Sequence, residues 1–596
     1  MPNFLKLLLA SCLGTLLALG ALVLLGILSI GSLASQFADG EVAVKNNSVL
    51  TLDLGRVPEL TNNLQRDPFS LDDDAVLGLR DLRRVLEAAA EDDDVEGVYL
   101  DASGAALMPA GALELRRALA GFRESGKFVV SHGKYYTQSG YYLASVGDGV
   151  YLNPTGLVDI RGYGSVQPFF KGTLDKLGVD ANVVYAGDFK SAGEMFFRRS
   201  MSDSNRLQTR EYLADLWEVY ATDVAASRGL TYAQVNALAE DFRSRDDDDA
   251  VELGLVDALY YKDQVLDELR RRIGLDDDDE IATVSAEDYY GKLDDANVLA
   301  KDRVALVYAE GNIADGEGAP GTITDGQYAK LLRELRTDDR VKAIVLRVNS
   351  GGGSAMASEN IWRELHLATE AGIPVVTSMG GVAASGGYYI AAPSDSIFAE
   401  PNTLTGSIGV VAIIPNVNEL MNDKLGVTFD TIGTGRYTNA LSPVIPYSSA
   451  DMAFFQESID EIYTLFVNRV AEGRGLPEAR VRQIAKGRVW TGRDALDVGL
   501  VDRLGSLDEA LAAAADLADL ELDDVRVVEY PRLKSPREQL IAELTGQDED
   551  EGEIRLGEAL LRRELGDVYE RVAAARQLLT GGGAPQMRMY ETLELR

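Results

Sequence analysis

The sequence predicts an α/β protein made by tandem duplication of one unit, preceded by a single N-terminal transmembrane helix. Three observations carry this reading. Apolar, β-rich runs alternate with helical patterns, a set of motifs returns after about 245 residues, and an uncharged apolar run opens the chain. Alternation of this kind marks parallel sheets covered by helices.

The opening run is taken first. Lys6 is followed by 27 uncharged positions, Leu7 to Leu33, rich in Leu, Ala and Gly. A helix needs about 20 residues to cross the hydrocarbon layer. Ser32-Leu33-Ala34 resembles a signal-peptidase site, but the apolar part of a cleavable signal is usually about 7–15 residues. Residues 7–33 are therefore expected to be a retained anchor. Lys6 precedes the span, whereas Asp39 and Glu41 follow it. The positive-inside preference leaves residues 1–6 in the cytoplasm and exports the rest.

The exported part is read as two halves, 46–275 and 301–530, joined by an acidic linker at 276–300 and followed by a helical tail at 531–596. In the first half, Val95–Leu100 reads as a strand, 113–122 as a helix and Lys127–Val130 as the next strand. The order returns as Val341–Leu346, a helix over 357–369 and Ile373–Thr377. Val95 and Val341 are 246 residues apart, the Gly-Tyr-Tyr motifs at 140–142 and 387–389 are 247 apart, and Gly-Leu-Val-Asp recurs 245 residues after Gly254. Three anchors near one offset make a duplication of one unit the simplest account.

Composition removes several chemistries. The 596 residues carry 58 Lys+Arg against 95 Asp+Glu, a net charge of −37. That balance argues against binding a phosphate backbone, so no nucleic-acid partner is expected. The single cysteine, Cys12, lies in the apolar run, which excludes an intrachain disulfide or a thiolate cluster. Only His132 and His366 supply imidazoles, which disfavours a His-rich zinc site or a Ser–His–Asp hydrolase. The acidic runs at 72–74, 92–94, 246–249 and 276–279 read as solvated loops or helix starts and lack the spacing of a calcium loop. No metal and no cofactor is expected. The acidity itself reads as solubility, with adaptation to high salt as the sharper alternative.

Chemistry is sought where the halves differ. Ser385 lies in Met379–Ile390, a Gly/Ala-rich stretch after a buried strand that opens a helix. Unpaired N–H groups at a helix start favour an oxyanion. By itself the stretch reads more readily as a tight turn for close packing. Asn349–Ser354 is a second Gly-rich turn after a strand, without the ending of a Walker motif. Together the two turns can aim N–H groups at one carbonyl oxygen. A hydroxyl nucleophile needs a base, and Lys190 in Gly187–Glu194 can serve if burial lowers its pKa. Taken alone it reads as a surface lysine. At the repeat position of Ser385 stands Gln138, however, and at that of Lys190 stands the stretch 436–439, which has no lysine. Each half thus carries one of two needed groups, and a single composite site is expected.

These residues resemble the signal peptide peptidase A (protease IV) family in its long, duplicated, membrane-anchored bacterial form. The resemblance rests on Ala384–Tyr389, Asp188–Ala192 and Thr405–Gly409, and it extends over nearly the whole chain. It implies a ClpP/crotonase-like fold in each half and a metal-free Ser–Lys dyad that degrades remnant signal peptides. Ser385 would be the nucleophile, Lys190 the base and Ser407 the group orienting the amine. The N–H groups of Gly386 and of Gly352 or its neighbour Gly353 would form the oxyanion hole. The family often has Pro where Gly351 stands, which leaves the second donor open by one residue. The resemblance also implies a homotetramer on the inner membrane, with its catalytic part in the periplasm. Two other readings stand beside it. One is an inactive membrane scaffold or quality-control protein on the same fold, and the other a crotonase-type CoA enzyme, which would need a catalytic carboxylate.

Overall fold

In a computed structural model of the chain, the described residues are 44–532, apart from 56, 60–75, 294–296, 298, 319–320, 436 and 441, together with the backbone of a short strand at 586–588. The expected anchor at 7–33, the acidic run at 72–74 and the expected tail helix at 553–579 lie outside them. Among the described residues, no helix is long and apolar enough to cross a membrane.

Strands β1 (Ser48–Asp53), β2 (Val95–Asp101), β3 (Phe128–Gly133) and β4 (Gly149–Leu152) lie side by side and parallel. β5 (Asp180–Ala186) leaves this sheet, which β6 (Ala258–Leu259) and β7 (Thr283–Ser285) complete in the order β6-β4-β3-β2-β1-β7. β7 belongs to the stretch read as a linker. Its residues pair with Val49–Thr51 of β1, so 276–300 contributes an edge strand to the first half. Pattern reading passes over it because three residues are too short to show a period.

The second half repeats the plan. β8 (Arg303–Glu310), β9 (Asn312–Ala314), β10 (Thr322–Thr324), β11 (Val341–Ser350), β12 (Gly352–Ser354), β13 (Val375–Ala384), β14 (Ser396–Ala399), β15 (Leu404–Gly406), β16 (Val410–Asn416), β17 (Val489–Thr491), β18 (Arg503–Leu504) and β19 (Arg526–Tyr530) follow in order, and β20 is Gln586–Arg588. One sheet runs β17-β15-β13-β11-β8-β19, with β14 on β13 and β18 on β14. A further sheet runs β10-β9-β12-β20-β16-β5.

The helices that matter here are α1 (Leu79–Glu91), α2 (Pro109–Glu124), α3 (Gln138–Ala144), α4 (Asp203–Arg228), α5 (Ala286–Lys292), α6 (Ala355–Glu370), α7 (Gly386–Ala391) and α8 (Ser449–Arg474). α4 and α8 are equivalent 26-residue helices, each started by a capping serine (Ser202, Ser448) and stopped by a left-handed glycine (Gly229, Gly475). The repeated motifs have repeated tasks. Tyr141 Oη donates to the carbonyl of Leu255, and Tyr388 Oη to that of Leu500. Asp257 accepts from Val150 N, and Asp502 from Ile397 N. Each Gly-Leu-Val-Asp segment thus closes its own half against the end of a strand.

The halves are not independent. Val184 and Ala186 of β5 are buried in the core of the second half, beside residues such as Ile408, Val410 and Ala412. A buried ion cluster spans the junction as well. Arg347 of β11 reaches Glu59 (3.0 Å), Glu114 of α2 (2.8 Å) and Ser378 Oγ (2.9 Å), and Arg117 of α2 holds both oxygens of Glu400 at 2.7 and 2.8 Å. Glu114 also takes Arg83 of α1 at 3.2 Å. Removing one member of a buried ion pair strands the other charge, at a cost of about 3–5 kcal/mol. Arg347→Met is therefore expected to lower the unfolding free energy by about that amount in urea titrations, whereas a change within about 0.5 kcal/mol, as is usual for a surface site, would contradict this role.

Candidate active site

Ser385 ends β13 and begins α7. Its backbone sits at φ +56°, ψ −115°, a conformation a side chain tolerates only when its surroundings impose it. Two neighbours do so: Ser385 N–H donates to Gly406 O at 2.8 Å, and Tyr389 N–H of α7 donates to Ser385 O at 2.9 Å. The serine is fully buried. The stretch 379–384 proves to be the last part of β13, so the sharp turn is confined to Ser385.

Ser407 is brought alongside by β15, whose Leu404–Gly406 pairs with Val382–Ala384 of β13. It too has positive φ (+50°), held by its N–H donating to Arg488 O at 2.7 Å. Thr405 of the same stretch ties the strands together by donating to Ala383 O.

Lys190 follows β5. Seven residues of that strand, Asp180 to Ala186, pair antiparallel with Asn416 to Val410 of β16. The pairing carries the loop that begins at Gly187 across to the second half, where Phe189 N–H donates to Lys486 O. Lys190 Nζ then lies 2.8 Å from Ser385 Oγ, 3.0 Å from Ser407 O and 3.0 Å from Ser407 Oγ. The lysine is only 4% exposed. Burial pushes its pKa from 10.5 down to about 7. Its alternative as a surface lysine is thus not what the fold gives.

The second Gly-rich segment differs from its expected form. β11 continues through Ser350, and Gly352–Ser354 is a strand, not a loop. Gly353 pairs with Ile313 of β9 so closely that a Cβ on it would stand 1.9 Å from Ile313 O, which only glycine permits. Gly352 and Gly353 flank Gly386: Gly352 Cα and Gly353 N are each 3.1 Å from where a Gly386 Cβ would be. Gly352 N–H donates to Ser350 Oγ at 3.1 Å. Across β12, Gln586–Arg588 of β20 runs antiparallel, with Gln586 also opposite Val411 of β16. An extended segment of the chain therefore fills a slot one strand wide between β12 and β16.

Gln138 takes the serine's place in the first half, as the first residue of α3, and its Oε1 accepts from Arg161 N and Gly162 N. Tyr437, at the repeat position of Lys190, is exposed. Of the acidic runs, Asp246 caps the helix Asp247–Glu252 by accepting from Asp248 N. The pattern reading missed the buried polar residues of α4. Asn205, Gln208, Thr209 and Tyr212 stand three and four apart, the spacing of a core-facing stripe, and polar residues on such a stripe are the signal that was available.

The arrangement offers a buried amine of lowered pKa beside a hydroxyl on a constrained turn, next to backbone N–H groups. Two stretches of the chain, 121–276 and 368–521, match the family model described as Peptidase family S49. The chain belongs to peptidase family S49. The two matches begin 247 residues apart, the spacing of the Gly-Tyr-Tyr motifs. Protease 4 of Salmonella typhi is 36% identical over 507 residues, 82% of this chain and 80% of that protein. Protease 4 of Haemophilus influenzae is 33% identical, covering 74% of this chain and 72% of the relative. The chloroplastic serine protease SPPA of Arabidopsis thaliana is 32% identical, covering 76% and 68%. This S49 chain is a serine peptidase built on a duplicated α/β unit.

The buried lysine has a consequence for stability. Lys190 is depressed in the folded chain, so between pH 7 and pH 10 the unfolded state holds a proton that the native state has lost. Native stability then rises with pH across that window, by at most about 1.4 kcal/mol per pH unit from this group. Urea titrations of wild type and Lys190→Met from pH 7 to 10 should differ by this slope, and parallel curves would show that the amine is not depressed.

Proposed function

We propose that this serine peptidase uses a Ser385–Lys190 dyad, is anchored in the bacterial inner membrane by residues 7–33, and degrades remnant signal peptides on the periplasmic side. The observation that carries the dyad is the environment of Lys190 Nζ. A neutral amine has two N–H bonds and one lone pair. The two oxygens of Ser407, both 3.0 Å away, take the N–H bonds, which turns the lone pair toward Ser385 Oγ at 2.8 Å.

Lys190 accepts the Ser385 proton as Oγ attacks the peptide carbonyl carbon. The oxyanion that forms is held by backbone N–H groups of Gly386 and Gly353. Gly353 is preferred to Gly352 because the Gly352 N–H already has Ser350 Oγ as its acceptor. Each such donor is worth about 3–4 kcal/mol in acyl transfer. The C–N bond then breaks, with Lys190 returning its proton to the departing amine and leaving an ester on Ser385. Water attacks the ester as Lys190 takes its proton, and the proton passes back to Ser385 as the acid leaves. Ser407 orients the amine without entering the covalent steps.

An extended peptide as substrate is supported by β20, which lies antiparallel to Gly352–Ser354 as an added strand. The relatives' names, Protease 4 and, for an Enterococcus faecium protein 39% identical over 199 residues (33% of this chain and 57% of that protein), putative signal peptide peptidase, point to peptides as well. The uncharged run at 7–33 supports the anchor. Assembly as a homotetramer is part of the same proposal and rests on the family resemblance alone.

Mass spectrometry of products from synthetic signal peptides tests this reading. Ser385→Ala and Lys190→Ala should each lower kcat/KM by at least about 10⁴-fold in folded protein, whereas Gln138→Ala should cost less than about 10-fold. Activity should fall below about pH 7 as Lys190 takes up a proton. Substantial cleavage by either dyad variant would refute the mechanism. A chain ending at residue 580 should show a lower KM, because the tail no longer competes for the slot beside β12; an unchanged KM would remove β20 as a guide to substrate binding.

A further inference from the structure

Building on the dyad reading, we propose that Gln208 of α4 is a positioning residue for the base, a buried side chain that ties the lysine loop to the start of β17, beside the residue that accepts the Ser407 N–H. Gln208 is 1% exposed and lies on the polar stripe of α4, one turn beyond Asn205. Its Nε2 donates to Phe189 O at 3.1 Å and to Ser191 Oγ at 3.1 Å, the residues on either side of Lys190. Its Oε1 accepts from Val489 N at 3.2 Å. Both N–H bonds and the carbonyl are therefore used. Turning the amide over would set its oxygen against the Phe189 carbonyl, so the partners dictate one orientation.

The strand reached by Oε1 is the one that sets the rest of the base. Arg488, just before Val489, receives the Ser407 N–H, and Lys486 receives the N–H of Phe189. Gly487 between them has φ +75° and packs so tightly on the lysine that a Cβ would lie 2.6 Å from both Lys190 N and Lys190 Cβ. Residues 486–489 thus form a rail carrying both the lysine loop and Ser407, and Gln208 is a buried side-chain cross-link between loop and rail. Catalysis is sensitive to such a link because displacing a reacting group by about 1 Å can cost on the order of 10²-fold in rate.

Charged groups around the clamp are few and paired. Asp188 faces Lys486, Arg488 is bound to Glu211, Asp215 accepts from Thr491 Oγ1, and the buried Glu194 accepts from Ser202 N and Asn205 Nδ2. The low pKa of Lys190 comes from burial, not from any of these charges. A loop that loosens lets water reach the amine and raises that pKa.

The test compares wild type, Gln208→Met and Gln208→Glu by the pH dependence of kcat and KM on a synthetic signal peptide. Rates are normalised to folded protein measured by near-ultraviolet circular dichroism. Met keeps the bulk and removes every hydrogen bond. Glu keeps the shape and the acceptor for Val489 but loses the donors to Phe189 and Ser191. For both, kcat should fall about 10- to 100-fold with KM within about threefold; in the uncharged Met variant, where no new carboxylate acts on the amine, the acid limb should also move up by about one pH unit. Wild-type kcat in either folded variant, or an unmoved acid limb in Gln208→Met, would overturn the proposal, since a purely structural role changes the amount of folded protein and not the limb. Lys190→Ala separates the two levels. If it retains activity, the dyad falls; if it is inactive while the Gln208 variants match wild type, only the role of Gln208 falls.

Discussion

The site depends on one strand pairing across the duplication. β5 belongs to the first half in sequence, yet its seven residues pair antiparallel with β16 of the second half and bury Val184 and Ala186 in that half's core. A paired strand is a stiff support, because slipping by one residue would turn every inward side chain outward. Lys190 lies four residues beyond the end of β5, too near for the loop to wander. The Lys190 amine is thereby placed against Ser385, 195 residues further along the chain.

Duplication explains how such a composite arises physically. Both halves keep the same parallel core, the same paired tyrosine and aspartate closures and the same long capped helix. What they do not share is the turn after the second strand of the motif. In the first half Gln138 begins α3 in ordinary helical surroundings and spends its side chain on Arg161 and Gly162. In the second half Ser385 is forced to positive φ and faces the amine. Strain of about 1–3 kcal/mol at such a residue persists only where packing over-determines it, and here β15, α7 and the Gly352–Gly353 segment surround it on three sides.

The energetics of Lys190 follow from what it lacks. A drop from 10.5 to about 7 corresponds to roughly 5 kcal/mol against protonation. A carboxylate placed beside the amine would cancel that effect by favouring the charged form. Ser407 instead offers neutral oxygens, which bind the N–H bonds without adding charge.

Much of this was legible in the residues themselves. The strands around Val95 and Val341, the helices after them and the duplication show as apolar periods and recurring motifs, which depend only on local spacing. Ser385 and Lys190 stood out because each half lacks the other's group. β7 and β12 were not legible, and the polar stripe of α4 showed in the sequence only as a spacing, since a three-residue strand and a buried glutamine acquire their role only from partners remote in sequence. The chain alone determined which chemical groups exist and which half carries them, because motif and period are properties of neighbouring residues. Only the tertiary structure decided that the amine is buried and that it meets Ser385 at 2.8 Å. Burial and distance at the amine are set by contacts between segments about 200 residues apart, and nothing local encodes them.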